Sequence, residues 1–405
     1  MIIKKVNPCQ YEELESISRF LHNVEYRSSY HNSRSDNHFW YEVACYGSGI
    51  DDLWQTDAMQ KIIPDLQSGK AKLAICYLRE IPFGHDAHVV MQSKIGKDAV
   101  EKYNIDPKLI YYFYNSIPDH LTDLFDYPIN VIAVPYFEID FVHRYNQNTD
   151  FCTAGHPMKP GFSCKYNLGP AVCNEGEAMA KKPQRTFLDM NGKPDKYMRL
   201  RHVVHLWNKR LIDNGIINLL RTDEDTRRFP DKNDYYDTVK DIINEKDWKK
   251  FCEWWPQTFD DADVGQNYGK HYSGYPFDKK LFLDTFMSVV SETHSGAHNC
   301  NPEFFITEKI VRAIGNCHPF IVLSTPNYLS ELKLLGYKTF EPYVNESYDS
   351  EENTELRMVK AIDSVKEVCD KGVPVECINI AIHNQQNLIN RYNDTMKMLE
   401  GIFND

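Results

Sequence analysis

The sequence predicts an α/β protein built on parallel sheets, and three observations carry that expectation. Short apolar runs of strand length alternate with segments of helical periodicity. The runs are apolar at consecutive positions, as in strands covered on both faces. The stretch from Thr285 to Asp349 lays out strand, loop, helix, strand and helix in succession. With 405 residues, 42% hydrophobic and 26% charged, the chain is long enough for two domains with separate cores.

In chain order, a helical stretch from about Tyr11 to Leu21 is followed by a polar, aromatic-rich segment through Trp54. Leu73 to Leu78 (LAICYL) and Leu109 to Tyr114 (LIYYFY) read as buried strands. Asn130 to Val134 and Tyr136 to Phe141 read as a third extended region, with Pro135 at a join suited to a strand end. Polar residues gather where these strands end: Arg79, Glu80, His85, Asp86 and His88 after the first, Glu138, Asp140 and His143 after the third. From Asp150 to Lys182 the chain is rich in Gly, Pro, Cys and Lys, the composition of a long functional or interdomain loop. Cys152, His156, Cys164 and Cys173 within it match no zinc-ligand spacing.

Thr186 to Met190 reads as the first strand of a second domain, leading into a helix near Met198. Leu200, Val203, Val204, Trp207 and Leu211 form its apolar face. Arg199 and Arg201 sit in its first turn, where the helix dipole disfavours cations, so the pair suggests a compensating anion; two solvated arginines are the plainer alternative. Arg221 to Lys280 is acidic, aromatic and loop-rich, and its Trp254 and Trp255 read either as a sugar platform or as core residues.

Phe286 to Ser291 is the next buried strand, and Glu292 is the first polar residue at its carboxyl end. Thr307 is an N-cap that opens a helix through about Ile314. Pro319 to Ser324 is another strand, Asn327 to Leu335 a helix, and Gly336 occupies a left-handed C-cap position. Helices from about Thr354 to Lys371 and from Ile380 to Phe403 complete the chain. The expected domains are 1–183, 184–375 and a closing helical segment, 376–405, that packs back on the first domain.

Open α/β sheets bind ligands beyond the carboxyl ends of their strands and at helix N-termini. Glu292, Glu308 and Lys309 converge there. The first-turn amides after Thr307 read as free to meet an anion, with Lys309 adding a full charge, and Glu308 suits a ribose diol. The same spacing also fits a capped helix start with an acid favourably placed in the dipole field.

The run FFITEKIVRAI followed by PFIVLS resembles the nucleotide-sugar-binding motif of GT-B glycosyltransferases of the α-1,3-fucosyltransferase type. The extension LKLLGYKTFEPYVNESYD is similar to a group of phage- and virus-encoded glycosyltransferase-like proteins. The likeness covers roughly Phe282 to Asp349 and, more weakly, Thr186 to Leu220. It implies a GT-B-like fold, two Rossmann-like domains facing a cleft, with a C-terminal helix crossing back to the first. It also implies a nucleoside-diphosphate-sugar donor and no cofactor. Lys309 would contact the donor pyrophosphate, Glu308 the ribose, and Arg201, with Arg199 second, a donor phosphate. The family's upstream Glu-Asn-Ser stands here as Glu292-Thr293-His294, in which only the Glu matches.

The implied reaction is an inverting, metal-independent sugar transfer to an acceptor hydroxyl on a glycan or another hydroxylated molecule. Such a transfer needs a general base, with Glu80 the first candidate and Asp86 the second. Asp261-Ala262-Asp263 carries the letters of a metal motif but lies in an acidic loop. His294, His298 and Cys300 read as a solvated or substrate-facing segment.

The net charge of -12 disfavours a protein that coats nucleic acid. A basic track of Lys94, Lys97, Lys159, Lys165, Lys181, Lys182 and Arg185 keeps an alternative open, a phage enzyme that glycosylates hydroxymethylated bases in DNA. A non-catalytic carbohydrate- or nucleotide-binding protein is the other alternative. No run approaches the ~20 apolar residues of a membrane span, and the start lacks a secretory apolar region. The eleven cysteines include no CxxC pair and read mostly as reduced thiols. The expected location is cytoplasmic, or the host cytoplasm if the protein is viral.

Overall fold

Every described strand pairing is parallel, which is why the strands are apolar on consecutive residues. The computed structural model describes residues 2–6, 25–26, 39–44, 53–78, 94–115, 129–146, 172–192, 194, 197–220, 231–255, 279–292 and 304–404. The expected helix at Tyr11 to Leu21 lies outside them. The chain is α/β, with two parallel sheets.

The first sheet contains β1 (Ile2–Val6), β2 (Glu25–Tyr26), β3 (Phe39–Ala44), β4 (Ala71–Tyr77), β5 (Ile110–Asn115) and β6 (Asn130–Val134), in the order β2-β1-β3-β4-β5-β6. Helix α1 (Asp57–Gln67) follows Thr56, whose side chain accepts from Met59 N and so satisfies an amide of the first turn. Its Met59, Ile62 and Leu66 pack with Leu73 and Ile75 of β4 and Tyr112 of β5 in one core. Helix α2 covers 94–101.

The expected extended segment at Tyr136 to Phe141 is instead part of helix α3 (Tyr136–Asn146). Its alternation of polar and apolar residues mimics a strand, but Pro135 favours a helix start, where its fixed φ fits and its missing N–H costs nothing. Ile139 N donates to Pro135 O at 3.1 Å, and Tyr136 N donates to Asn115 Oδ1 at 3.2 Å, a cap supplied by the end of β5. Glu138, Asp140 and His143 are therefore helical and buried rather than solvated strand-end groups. Arg391 holds both oxygens of Glu138, at 3.1 and 3.0 Å.

The second sheet contains β7 (Arg185–Gly192), β8 (Gly215–Leu220), β9 (Thr285–Ser291) and β10 (Phe320–Leu323), in the order β10-β9-β7-β8. The chain steps from β7 outward to β8, then returns to the other side of β7 for β9 and β10. The topological switch point, where ligand crevices form, thus lies between β7 and β9. Register pairs Asp189 with Val289, and Val289 with Ile321, so these share one face of the sheet, while Val290 and Val322 lie on the other. Strand β8 has no counterpart among the expected strands. It starts at a glycine because a Cβ at Gly215 would lie 2.3 Å from the Phe187 ring.

Around this sheet lie α4 (Glu175–Ala180), α5 (Tyr197–Asn208), α6 (Glu245–Trp254), α7 (Lys279–Asp284), α8 (Glu308–Gly315), α9 (Tyr328–Leu334), α10 (Thr354–Lys371) and α11 (Glu376–Asn404). Helix α6 falls in the segment expected to be loop-rich. Trp255, just after it, is buried and donates from Nε1 to Leu219 O at 3.0 Å, which makes it a core residue rather than a sugar platform. The chain divides into two compact units, one of Met1–His143, Gly155–Pro157 and Arg391–Asp405, the other of Arg144–Ala154 and Met158–Asn390. Helix α11 therefore begins in one unit and ends in the other.

The segment after α9 is a scaffold. Gly336 has φ +82°, the expected left-handed C-cap. Asn327, at the N-cap of α9, is itself left-handed and caps nothing with its side chain. The Asp349 carboxyl does so instead, accepting from Leu329 N at 2.9 Å and Ser330 N at 3.3 Å. Val322 N donates to Tyr348 OH at 3.3 Å, and Phe340 N donates to Glu346 Oε1 at 2.6 Å. The Glu-Ser-Tyr-Asp run thus ties β10, α9 and the intervening loop together. Replacing Asp349 by Ala is expected to lower unfolding free energy by about 1–2 kcal/mol in denaturant titrations, with Asn retaining part of the loss. Unchanged stability of the alanine variant would remove the capping role.

Candidate functional site

Glu292 follows the last residue of β9 and continues its pairing, with its backbone N donating to Leu323 O at 2.9 Å. Alternation places its side chain on the Val290 face, where α8 starts. Thr307 is the N-cap of α8, extended at φ -115° and ψ 177°, and its Oγ1 accepts from Lys309 N at 3.2 Å. The same hydroxyl donates to Glu292 Oε2. Glu292 Oε1 accepts from Ile310 N at 3.3 Å and from Tyr328 OH at 3.5 Å.

The amides of Lys309 and Ile310, expected to be free for an anion, are therefore committed to protein groups. The reason is local: a carboxyl 2% exposed at a strand end needs donors, and the adjacent helix N-terminus has them. What remains for an external anion is side-chain charge. Lys309 Nζ stands 2.9 Å from Glu308 Oε1, 3.2 Å from Thr307 Oγ1 and 4.0 Å from Glu292 Oε2. Its side chain is 14% exposed and that of Glu308 20%.

The two carboxyls are driven apart in acidity. Burial pushes Glu292 above the ordinary range, against the opposing pull of Lys309 and Thr307. Burial alone would raise Glu308 as well, but Lys309 and Arg312 outweigh it and hold that carboxyl at about 2. Arg312, one turn after Glu308, is buried. Lys309 and Arg312 thus bring two cations to the start of α8, beside the carboxyls of Glu308 and Glu292. A small cavity beneath it is lined among others by Met190, Ser288, Val290, Ser291, Lys309 and Arg312. Arg312 was not singled out by sequence, although its i+4 spacing from Glu308 is visible there.

Arg201 is placed elsewhere. Its Nε donates to Glu355 Oε2 at 2.9 Å, Nη1 to Asp241 Oδ1 at 2.9 Å and Thr238 O at 2.7 Å, and Nη2 to Asp241 Oδ2 at 2.7 Å. His205 Nε2 reaches the other Glu355 oxygen at 2.8 Å. Burial would raise Glu355, but its bonds to His205 and Arg201 hold it at about 2. The compensating anions in the first turns of α5 are thus the protein's own carboxylates. Helix α5 packs on the Asp189 face, through His202, and α8 on the opposite one, while Arg201 is bonded to Thr238, Asp241 and Glu355. Arg199 is buried in the same turn as Arg201.

Sequence reasoning passed over Asp189, Asn191 and His202, all buried at the carboxyl end of β7. His202 Nε2 lies 2.9 Å from Asp189 Oδ2, its Nδ1 lies 2.8 Å from Met198 O, and Asn191 Nδ2 donates to Asp189 Oδ1 at 2.6 Å. The available signal was two polar residues at i and i+2 on one face of an otherwise apolar strand.

Glu80 and Asp86 lie outside the described residues, as do Arg79, His85 and His88. So do Cys152, His156, Cys164, Lys159, Lys165, Asp261, Asp263, Thr293, His294, His298 and Cys300. In the expected basic track, Lys181 donates to Thr285 O at 3.2 Å and Phe286 O at 2.9 Å, and burial lowers its amine to about 7, so it serves the fold. Among the described residues no group of His, Cys, Asp or Glu side chains is placed to hold a metal ion.

No protein-family model matches the sequence, and no curated protein does. Among solved structures, the chain is similar to the Glycosylation Associate Protein (Gap123) complex from Streptococcus agalactiae, at 9% identity and a TM-score of 0.41, covering 92% of this chain and 55% of that one. The chain thus spans about half the length of that relative. It is also similar to an alpha,alpha-trehalose-phosphate synthase (UDP-forming) from Burkholderia vietnamiensis, at 7% identity and a TM-score of 0.38, covering 91% and 73%. UDP-GlcNAc 2-epimerase from Methanocaldococcus jannaschii matches at 10% identity and a TM-score of 0.31, covering 96% and 99%. Similarity at this level does not discriminate among activities.

Glu292 joins β9, α8 and Tyr328, so its removal tests the frame of the site. Glu292→Ala is expected to cost about 2–3 kcal/mol in urea unfolding, because donors are left without an acceptor, and Glu292→Gln less. An alanine variant as stable as the parent would contradict this placement.

Proposed function

We propose that this protein is a glycosyltransferase that binds a nucleoside-diphosphate sugar on its second parallel-sheet unit and transfers the sugar, without a metal ion, to an acceptor hydroxyl. The observation that carries the reading is the Glu308–Lys309 pair at the start of α8, beside the carboxyl end of β9 and next to a carboxyl shifted toward neutrality. The sequence resemblance of this motif to fucosyltransferase-type GT-B enzymes supports the same assignment.

On this reading Lys309 exchanges its bond to Glu308 for the donor diphosphate, and the released Glu308 accepts from the ribose hydroxyls. Glu292 and Thr307 hold the helix start that carries both. Negative charge develops on the departing diphosphate, and a fixed ammonium nearby lowers that barrier without reorganisation. Arg199 and Arg201 would join only if Arg201 gave up Asp241 or Glu355. Glu80 and Asp86 remain the proposed bases on the acceptor side, assigned to 1–183, with 184–375 assigned to the donor and 376–405 to the returning helix. A glycan or similar hydroxylated acceptor fits better than DNA, because Lys181, part of the basic track, is used internally. No described helix is long and apolar enough to cross a membrane.

The test is the melting temperature of the purified protein with UDP, GDP, dTDP, CDP and CMP, each with and without magnesium, since a ligand that binds only the folded state raises it. One diphosphate is expected to raise it without magnesium, and Lys309→Ala to weaken that ligand about tenfold, the loss of one charged hydrogen bond. No response to any nucleotide would overturn the reading.

A further inference from the structure

At the topological switch point two side chains carry buried polar atoms with no hydrogen-bond partner: Asn191 Oδ1 near the end of β7 and Ser291 Oγ at the end of β9. Asn191 is 2% exposed and Ser291 3%. The register that pairs Asp189 with Val289, carried two residues further, puts them on the same face of adjacent strands. An unsatisfied buried polar atom is costly, and two neighbouring ones at the ligand-binding edge of an α/β sheet call for a shared partner.

The chemistry of that partner follows from the surroundings. Asn191 Nδ2 is fixed by Asp189 Oδ1 at 2.6 Å. Flipping the amide would set its oxygen against the carboxylate, so the unpaired atom is the carbonyl oxygen, which only accepts. Asp189 Oδ2 stands 2.9 Å from His202 Nε2, and Asn191 Nδ2 lies 3.3 Å from the same nitrogen, so this base of the site is already tied together. Ser291 both donates and accepts. A phosphate oxygen without a proton would serve Ser291 and leave Asn191 unpaired. An alcohol hydroxyl serves both, donating to Asn191 Oδ1 and accepting from Ser291 Oγ.

We infer that Asn191 and Ser291 form a subsite for one sugar hydroxyl of the ligand, at the margin of the cavity that Ser291 shares with Lys309. The inference rests on the proposed nucleotide-sugar reading. The hydroxyl belongs either to the ribose or to the transferred sugar, and the chemistry is the same for both.

The experiment compares wild type, Ser291→Ala, Ser291→Thr and Lys309→Ala by isothermal titration with UDP, GDP, UDP-glucose and GDP-mannose, and by melting without ligand. Ser291→Ala is expected to weaken binding about tenfold while raising the unliganded melting temperature by ~1–4 °C, since it removes an unpaired hydroxyl. Ser291→Thr, which keeps the hydroxyl, is expected to bind like wild type. A loss shared by a diphosphate and its sugar nucleotide assigns the hydroxyl to the ribose. A loss confined to the sugar nucleotide assigns it to the transferred sugar. If Lys309→Ala weakens binding and Ser291→Ala does not, the gap holds only water and this inference is overturned while the function stands. If wild type binds none of the four and none of UDP, GDP, dTDP, CDP and CMP raises its melting temperature, both fall; if one of them does, the comparison is made with that nucleotide and its sugar conjugate.

Discussion

The second unit depends on one buried carboxyl. Glu292 ends a parallel strand in a place with little water, and its oxygens are satisfied by Thr307 Oγ1, Ile310 N and Tyr328 OH. That arrangement fixes where α8 begins relative to β9, and hence where Glu308 and Lys309 stand. It also consumes the anion-binding capacity of the helix terminus. On the proposed reading the site would meet a diphosphate through the side chain of Lys309 rather than through open amides.

Elsewhere the fold uses charged groups as framework. Arg201 joins α5 to Asp241 and to Glu355 of α10. Arg357, 2% exposed, donates to Ser324 O at 2.8 Å and Glu351 O at 2.5 Å, tying the end of β10 to the start of α10. A guanidinium suits this role because its several donors satisfy carbonyls and carboxylates on different segments at once. The pairing of Arg391 with Glu138 does the same where α11 meets α3.

Much of the second sheet was legible in the sequence because its signals are local. The apolar runs of β7, β9 and β10, the Thr307 cap and the Gly336 stop each lie within a few residues of the element they define. What was not legible depends on distant partners or conflicting patterns. The residues Tyr136 to Phe141 alternate like a strand, yet Pro135 and Asn115 start a helix there. Arg201 looked available for a phosphate because its acceptors lie 40 and 154 residues away. Ser291 and Asn191 share a sheet face only through a strand order that no periodicity reveals. In the first unit the candidate bases Glu80 and Asp86 lie outside the described residues, so that half of the candidate site rests on sequence alone.

The most direct measurement is a phosphorus NMR titration of the bound nucleoside diphosphate against wild type and Lys309→Ala, in buffer containing a chelator. The expected result is phosphate resonances shifted and broadened by wild type, with the variant needing about tenfold higher concentration for the same change, because it lacks the ammonium contact. Equal perturbation by both proteins would place the diphosphate away from α8 and contradict the assignment of the site.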